Sequence, residues 1–354
     1  MSNWGTTPTL PEILPLGERP LAYSQAVFEA METALAADER TRLFGEGVTD
    51  KAGTYGTTRE MAERFGPDRV FDVPTAEQII TGLAIGMSLG GLRPIVIHPR
   101  NDFLLVAMDQ IANHAAKWKA MFGGAIRLPL TIRSVSCRGW GSAAQHSQAL
   151  HATMAHMPGL MVATPFTPGD AKGIALWAAL EAEEPVMIME HKWLWNLRGH
   201  VPPGCGPTPP AGPQVLRRGD DVTIVGISYG AADALIAAEA LAADGIAAEV
   251  IDLRWLKPLD VAPIAESVRR TGRLVVVDTG HVSYGAAAEI VAATAERVSP
   301  SAMKAAPARV ALPDVPAPAC SEKTYYPGPK TVADRVRSML RPAGTRGGRV
   351  TTPD

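Results

Sequence analysis

Short apolar runs alternate with longer segments of helical periodicity along most of the chain. In the first half, apolar runs cover 69–73, 93–97, 128–132, 160–163 and 185–190, and helical patterns cover 78–90, 103–120 and 168–182. In the second half, apolar runs cover 221–225, 247–251, 273–278 and 308–311, and helical patterns cover 230–243, 260–271 and 284–297. Such alternation predicts mainly parallel sheets with helices on both faces. We therefore expect an α/β protein of two doubly wound domains.

A segment rich in proline and glycine separates the two halves. Residues 201–214 read VPPGCGPTPPAGPQ, a composition that disfavours helix and strand alike. We predict an N-terminal extension at 1–19, an α/β domain at 20–200, this linker at 201–214, a second α/β domain at 215–340 and a flexible tail at 341–354. The length of 354 residues is enough for two domains that each bury a core.

Charge and cysteine content narrow the function classes. Lys and Arg number 34 and Asp and Glu number 36, so a net charge of −2 predicts neither nucleic-acid binding nor attraction to an anionic membrane. The start lacks the pattern of a secretory signal, and the most apolar run, 79–92, is too short to span a bilayer. The three cysteines are far apart, so we expect a cytoplasmic protein without a disulfide frame or a metal site.

One short motif fits a serine nucleophile. The segment 226–230, GISYG, matches GxSxG between a predicted strand and helix, and Asp278 and His281 follow Ser228 in the order of a hydrolase triad. The alternative is structural, because the two glycines permit a tight turn and Ser228 can cap the helix. We favour the structural interpretation, since such a pattern is common in glycine-rich α/β chains.

Two polar side chains are candidates for chemistry. Glu77 follows a strand and a turn and opens an almost wholly apolar helix, where burial raises a carboxyl pKa and the helix N-terminus lowers it. Such a group can share a proton with a ligand nitrogen, although an ordinary first-turn glutamate is the alternative. His146 lies in AAQHSQ, 143–148, where an imidazole can carry a proton near neutral pH or have no catalytic role.

Glycine recurs every four residues in the predicted helix 78–90. Gly82, Gly86 and Gly90 form a stripe without side chains, along which another backbone can approach closely. A subunit interface and close packing within one chain both fit this stripe.

Seven stretches carry a resemblance to a known family. They are LFGEGV (43–48), RFGPDRVFDVPTAEQIITGLAIGMSLGGLRPIV (64–96), DFLLVAMDQIANHAAKW (102–118), AAQHSQ (143–148), HMPGLMVATPFTPGDAKG (156–173), EVIDLRWLKPLD (249–260) and RLVVVDTG (273–280). In these stretches the chain resembles the β subunits of thiamine diphosphate-dependent 2-oxo acid dehydrogenases of the pyruvate, branched-chain and acetoin types. The resemblance implies a transketolase-like pyrimidine-binding domain followed by a transketolase C-terminal-like domain.

The resemblance implies roles for four residues. Glu77 stands where the family's glutamate hydrogen-bonds the aminopyrimidine ring and so activates the cofactor. Phe103 occupies the position of the family's aromatic residue that packs on that pyrimidine. Glu46 occupies the position of the family's acidic residue at the edge of the cofactor. His146 stands for the active-site histidine that handles the acyl intermediate or its acceptor. We therefore expect Glu77 and His146 to be catalytic, and Glu46, Glu77 and Phe103 to bind thiamine diphosphate.

The diphosphate-binding motif of the family is missing from this chain. Gly169-Asp170 and Gly219-Asp220 are followed by Ala171 and Asp221 rather than by a second glycine. The resemblance then implies a separate α subunit that carries this motif and binds most of the Mg²⁺. It also implies an α₂β₂ assembly and an inactive chain when the α subunit is absent.

One stretch departs from the family pattern. Residues 97–100, Ile-His-Pro-Arg, replace the usual Glu-Ile-Gln-Phe, so His98 and Arg100 add donors suited to a carboxylate, a phosphate or a sugar hydroxyl of the substrate or acceptor. Pairing of Arg100 with a carboxylate of the partner subunit is an equal alternative.

The main expectation is a β subunit of a two-component enzyme. The enzyme would decarboxylate a pyruvate-like 2-oxo acid and pass on the acyl or two-carbon unit, with a lipoyl acyltransferase as a further candidate partner. The alternatives are a split transketolase-like carboligase acting on a sugar or ketose, a noncatalytic assembly subunit, and a serine hydrolase using Ser228.

Overall fold

The computed structural model of the chain describes residues 11–136, 141–320 and 322–341. Residues 1–10 of the predicted extension and 342–354 of the predicted tail lie outside the described residues.

Helices and strands alternate through the first 200 residues. The strands are β1 (Pro20–Ala22), β2 (Thr41–Gly45), β3 (Val70–Asp72), β4 (Arg93–His98), β5 (Thr131–Ser136), β6 (Met161–Ala163), β7 (Val186–His191) and β8 (Arg198–His200). The helices are α1 (Tyr23–Ala37), α2 (Met61–Phe65), α3 (Glu77–Leu89), α4 (Trp118–Met121), α5 (His151–Ala155) and α6 (Pro168–Leu180). Residues 201–213 contain neither helix nor strand.

The alternation continues after this segment. The strands are β9 (Gln214–Arg217), β10 (Val222–Gly226), β11 (Ala248–Asp252), β12 (Trp255–Lys257), β13 (Leu274–His281) and β14 (Ala308–Leu312). The helices are α7 (Tyr229–Ala242), α8 (Ala262–Thr271), α9 (Ala286–Ala295), α10 (Glu322–Tyr325) and α11 (Pro329–Leu340). In the described part of the chain, no helix is both long and apolar enough to cross a membrane.

Two mainly parallel sheets organise these elements. The first sheet has seven strands in the order β12-β6-β7-β5-β4-β2-β3, and only the edge strand β12 runs antiparallel to its neighbour. The second has five strands in the order β14-β13-β10-β11-β9, with β9 antiparallel at its edge. The predicted α/β class with two doubly wound units is confirmed.

Alternating side chains of β4 show how the first sheet is covered on both faces. Val96 belongs to an apolar cluster that includes Ile80 of α3, whereas Ile95 and Ile97 belong to a cluster that includes Met31 of α1. Because successive side chains of a strand point to opposite faces, α3 and α1 lie on opposite sides of the sheet. The wholly buried strand β4 is thus the centre of the first core.

Local sequence signals explain several helix ends. At the start of α6, the Thr167 hydroxyl accepts a hydrogen bond from the Asp170 amide at 3.1 Å, and Pro168 occupies the first helical position. At the end of α8, Gly272 adopts a φ of 76°, the left-handed conformation that favours glycine after a helix.

The predicted helix at 103–120 differs most from the structure. A 3₁₀ helix covers Asn101–Ala107, a π-helix covers Gln110–Ala115, and only Trp118–Met121 is α-helical. The 3₁₀ spacing lets Leu104 and Ala107 face the core, three residues apart. The predictions also omit β1, α1, β2, β12 and α11, and they start β5 three residues early.

One strand and several polar contacts join the two halves of the chain. The strand β12 follows β11 in sequence but pairs with β6 of the first sheet. His151 of α5 bonds Asp278 of β13 through Nε2 and Oδ1 at 2.8 Å, and the Arg254 guanidinium pairs with Asp170 of α6 at 3.2 Å. The two halves therefore share both strand pairing and buried charge.

Loss of the Asp278 charge should destabilise the whole chain. Burial raises the pKa of Asp278, but the charge and hydrogen bond of His151 outweigh it, so the pKa lies below its usual range. We expect Asp278→Asn to lower the free energy of unfolding by about 3 kcal/mol, because it breaks a buried pair. Urea unfolding would measure this. Asp220→Asn, at an exposed ion pair, should lower the free energy of unfolding by less than about 1 kcal/mol. An equal loss in the two variants would contradict a stabilising role for the buried His151–Asp278 pair.

Candidate active site

The strand order reverses between β2 and β4. From β2 the chain proceeds to β3 on one side and then crosses to β4 on the other. Gly45 ends β2 beside Ile97 with a φ of 153°, and a Cβ at Gly45 would overlap the Ile97 carbonyl oxygen. The two strands can therefore come this close only with glycine at this position. In open α/β sheets, ligands bind at the carboxyl ends of strands at such a reversal.

Two glutamates lie near this reversal. Glu46 follows β2 directly, and Glu77 is the first residue of α3, the helix that follows β3. Burial raises the pKa of Glu46, and the negative charge of Glu77 raises it further. Glu77 is 8% exposed. Two carboxylates in a partly dry site repel each other, so the Glu46 carboxyl holds its proton more tightly beside Glu77.

His98 lies in the interior behind these glutamates. Its side chain is fully buried, and Nε2 lies 3.1 Å from the Thr81 hydroxyl on α3. Burial lowers the pKa of His98 to about 4. The imidazole shares a face of β4 with Val96, the face toward α3. A fully buried imidazole does not fit the predicted role of His98 as a hydrogen-bond donor to substrate, because no part of its side chain reaches solvent.

Arg100, Phe103 and His146 come together at the end of β4. The Phe103 and His146 rings meet edge to face, with centroids 5.3 Å apart and planes at 78°. The Arg100 guanidinium donates to the His146 carbonyl oxygen at 3.5 Å. Phe103 is 36% exposed and His146 is half-buried, so both rings border solvent.

Two buried polar residues at this edge were not predicted. Asn101 donates from Nδ2 to the Gln148 carbonyl at 3.1 Å, and Asp102 accepts from the Gln148 amide at 3.0 Å. A polar Asn-Asp pair separated by two residues from a buried strand was the signal available in the sequence. Among the described residues, no group of three or more His, Cys, Asp or Glu side chains is placed to hold a metal ion.

The GxSxG segment has the geometry of a tight turn. Ser228 adopts a φ of 53°, and a Cβ at Gly226 or Gly230 would collide with neighbouring backbone. The Asp278 carboxylate bonds His151 and two backbone amides, while His281 Nδ1 lies 2.8 Å from the Pro313 carbonyl. The contacts of the described residues thus join neither triad candidate to Ser228. The predicted tight turn is present, but the predicted cap is wrong, because the Ser228 hydroxyl makes no capping hydrogen bond and its oxygen is buried without a partner among the described residues.

The glycine stripe of α3 is open rather than crowded. Among the described residues, nothing outside the helix lies within 4 Å of a Cβ built at Gly86, and at Gly82 the Gln110 Cγ lies at 3.9 Å. At Gly90, just after α3, a Cβ would lie 3.4 Å from the carbonyl oxygens of Gly86 and Met87 in the preceding turn. On the same helix, Ile79 is 66% exposed and Leu83 is 39% exposed. Close packing within the chain does not explain the stripe, whereas an interface with another chain remains compatible with it.

Family models match both halves of the chain. Residues 19–196 match the transketolase pyrimidine-binding domain, and residues 213–332 match the transketolase C-terminal domain.

Named relatives are similar over most of their length. The acetoin:2,6-dichlorophenolindophenol oxidoreductase β subunit of Cupriavidus necator is 37% identical over 91% of this chain and 98% of its own. The 3-methyl-2-oxobutanoate dehydrogenase β subunit of Mycobacterium tuberculosis is 39% identical over 91% and 92%. Among solved structures, a split gene transketolase described as an inactive β4 tetramer has a TM-score of 0.71 and 28% identity, over 90% of this chain and 98% of that one.

The buried imidazole of His98 should make stability depend on pH. In the unfolded chain the pKa of His98 returns to about 6.5. Between about pH 6.5 and pH 4 the imidazole is therefore protonated in the unfolded state and neutral in the folded state. Stability is therefore lost as the pH falls from 6.5 towards 4, by up to about 3 kcal/mol. We expect His98→Gln to flatten this part of the curve of Tm against pH, measured by calorimetry. His114→Gln, at an exposed histidine, should leave this part of the curve unchanged. An unchanged slope of Tm against pH in His98→Gln would contradict the prediction.

Proposed function

This chain belongs to the family of transketolase-like β subunits of 2-oxo acid dehydrogenases, and we propose that it is the β-type subunit of a two-component thiamine diphosphate enzyme. The proposed enzyme decarboxylates a pyruvate-like 2-oxo acid and transfers the acyl or two-carbon unit to an acceptor. The observation that carries the proposal is the electrostatically coupled pair Glu46 and Glu77 at the carboxyl ends of parallel strands, where the sheet reverses.

The residues at this edge fit the pyrimidine half of the cofactor. Glu46 Oε1 is buried without a hydrogen-bond partner among the described residues, so a ligand donor would satisfy it. Glu77 would share a proton with a ring nitrogen, and Phe103 would pack against the ring. When bound, thiamine diphosphate supplies the carbanion chemistry of such reactions. The diphosphate and its Mg²⁺ would be held by the α subunit.

His146 and Arg100 are the candidates for contact with substrate. An imidazole can donate and accept protons near neutral pH, which suits His146 to proton transfer on the acyl unit or its acceptor. The Arg100 guanidinium, beside the His146 backbone, would bind a carboxylate or phosphate by charge-assisted hydrogen bonds. His98 would have an indirect role, because its hydrogen bond with Thr81 would fix the position of α3, the helix that begins with Glu77.

A split transketolase-like carboligase is the second candidate function. It is favoured by the split transketolase among the structural neighbours and by Arg100, whose side chain suits a phosphorylated sugar. Turnover of a ketose but not of any 2-oxo acid would select this candidate.

The open face of α3 is the proposed contact with the α subunit. Gly82 and Gly86 leave room for a second backbone, and the exposed Ile79 and Leu83 supply apolar area. An α₂β₂ assembly would bring the missing diphosphate site to Glu77, which lies on the same helix. The isolated chain would self-associate without activity, as the name of the split transketolase neighbour describes for that protein.

Removal of the Glu77 charge should abolish turnover. In the complex reconstituted with the α subunit, we expect Glu77→Gln to lower kcat by at least about a hundredfold, because the amide cannot take up a proton. Reduction of 2,6-dichlorophenolindophenol in the presence of pyruvate or 3-methyl-2-oxobutanoate measures turnover whatever the natural acceptor is.

A matched substitution keeps this test specific. Glu63→Gln changes an exposed first-turn glutamate of α2 and should leave the rate unchanged. If Glu77→Gln turns over normally, or if the α subunit alone is as active as the complex, this chain is a noncatalytic assembly subunit instead.

A large side chain in the glycine stripe should block assembly but not folding. In the part of the chain that the structure describes, nothing outside the helix lies within 4 Å of the Gly86 Cβ position, so Gly86→Leu should fold normally, and its helix should gain about 1 kcal/mol from the loss of glycine. We expect binding of the α subunit to weaken at least about tenfold, because the backbones can no longer approach. Native mass spectrometry would measure this. Ala292→Leu on the exposed side of α9 is the control, and normal assembly of Gly86→Leu would place the α subunit on another face.

A further inference from the structure

The segment 100–103 holds the loop that carries His146. Arg100 and Phe103 contact His146 itself, whereas Asn101 and Asp102 contact Gln148, two residues further on. Four successive side chains that follow β4 therefore contact one short loop, residues 141–150. Two of them, Asn101 and Asp102, are buried.

The loop has little regular structure of its own. Between Gly141 and Leu150 the only helix is the single 3₁₀ turn Ala144–His146. Ala143 adopts a φ of 58°, a conformation that costs a non-glycine residue free energy. Such a loop depends on outside contacts for its conformation.

Asp102 makes the most complete of these contacts. Its Oδ1 accepts from both donors of Gln148, the backbone amide at 3.0 Å and the side-chain Nε2 at 3.1 Å. Hydrogen bonds to a carboxylate are stronger than those between neutral groups, and burial excludes competing water. Asp102 is 4% exposed and Gln148 is half-buried, so little water competes for this contact, and the same burial raises the pKa of Asp102.

We propose that Asp102 is a positioning residue that fixes His146 by binding both hydrogen-bond donors of Gln148. Because Gln148 lies two residues after His146 and Phe103 follows Asp102 directly, this contact sets the imidazole against the Phe103 ring. The catalytic meaning of this role rests on the proposed function, whereas the ordering of the loop does not.

Reversal of the hydrogen-bond polarity tests the contact. Gln148→Glu places a second carboxylate against Asp102 and should release the loop. The double variant Asp102→Asn/Gln148→Glu restores a donor and an acceptor, because the amide introduced at position 102 can donate to the new carboxylate while its oxygen still accepts the backbone amide. Asp109→Asn, six residues beyond the segment 100–103, is the matched control, because this carboxylate contacts Gln110, Asn113 and His114.

Hydrogen exchange and NMR on the full chain give the readouts. We expect amide exchange at 141–150 to rise about tenfold or more in Gln148→Glu, and to return close to the wild-type rate in the double variant. The imidazole signal of His146, assigned by its loss in His146→Gln, should shift or split in the single variant alone. Exchange and signals unchanged in Gln148→Glu, or no recovery in the double variant, would overturn the proposal.

Turnover separates this proposal from the proposed function. In the complex with the α subunit, Gln148→Glu should lower kcat more than it changes KM, with recovery in the double variant. A general loss of stability, with a lower unfolding midpoint but unchanged loop exchange, would show that Asp102 is only structural. If Glu77→Gln leaves turnover intact, the proposed function fails while the exchange data still decide the role of Asp102.

Discussion

The close approach of β2 and β4 at Gly45 is the constraint on which the candidate site depends. No side chain fits between this residue and the Ile97 carbonyl, so glycine lets β2 pair with β4 to the last residue of β2, opposite Ile97. Glu46 then leaves the sheet beside the end of β4, close enough for the charge of Glu77 to affect it. The segment that carries Arg100 and Phe103 starts from the same point. A larger residue at 45 would separate the strands and the side chains that follow them.

Buried polar groups at this edge are left partly unsatisfied. Among the described residues, Glu46 Oε1, Asn101 Oδ1 and Asp102 Oδ2 are buried without hydrogen-bond partners. Each such atom costs stability that a purely structural site would recover by pairing it. By contrast, both oxygens of Asp278, at the junction of the sheets, are hydrogen-bonded. The junction is not free of such atoms, since Arg254 Nε is also buried without a partner among the described residues, so the three oxygens at the β4 edge agree with the proposed ligand-binding role but do not by themselves establish it.

Sequence patterns predicted the class of fold, whereas the roles of the site residues stay predictions, and the failures of detail have physical causes. Apolar runs located β4, β7 and α3 because these elements are buried and continuous. The segment after β4 misled the prediction, since its apolar residues serve a 3₁₀ helix and an exposed face rather than one long helix. His98 looked like a surface donor, because sequence alone does not show that the β4 face on which it lies is covered by α3. Asn101 and Asp102 act through a loop more than 40 residues away, which no local pattern reveals.

The strand β12 belongs to the second half of the chain but completes the sheet of the first half. It closes the edge of the first sheet at β6, with Trp255 against Trp177, although it is encoded after the proline-rich segment. Division of the gene at that segment would leave β6 with unpaired backbone groups, a surface that invites association with any other strand. Although the named relatives are themselves subunits, the pairing of β12 with β6 joins the two halves of this chain within one sheet, so neither half has a complete set of strands without the other.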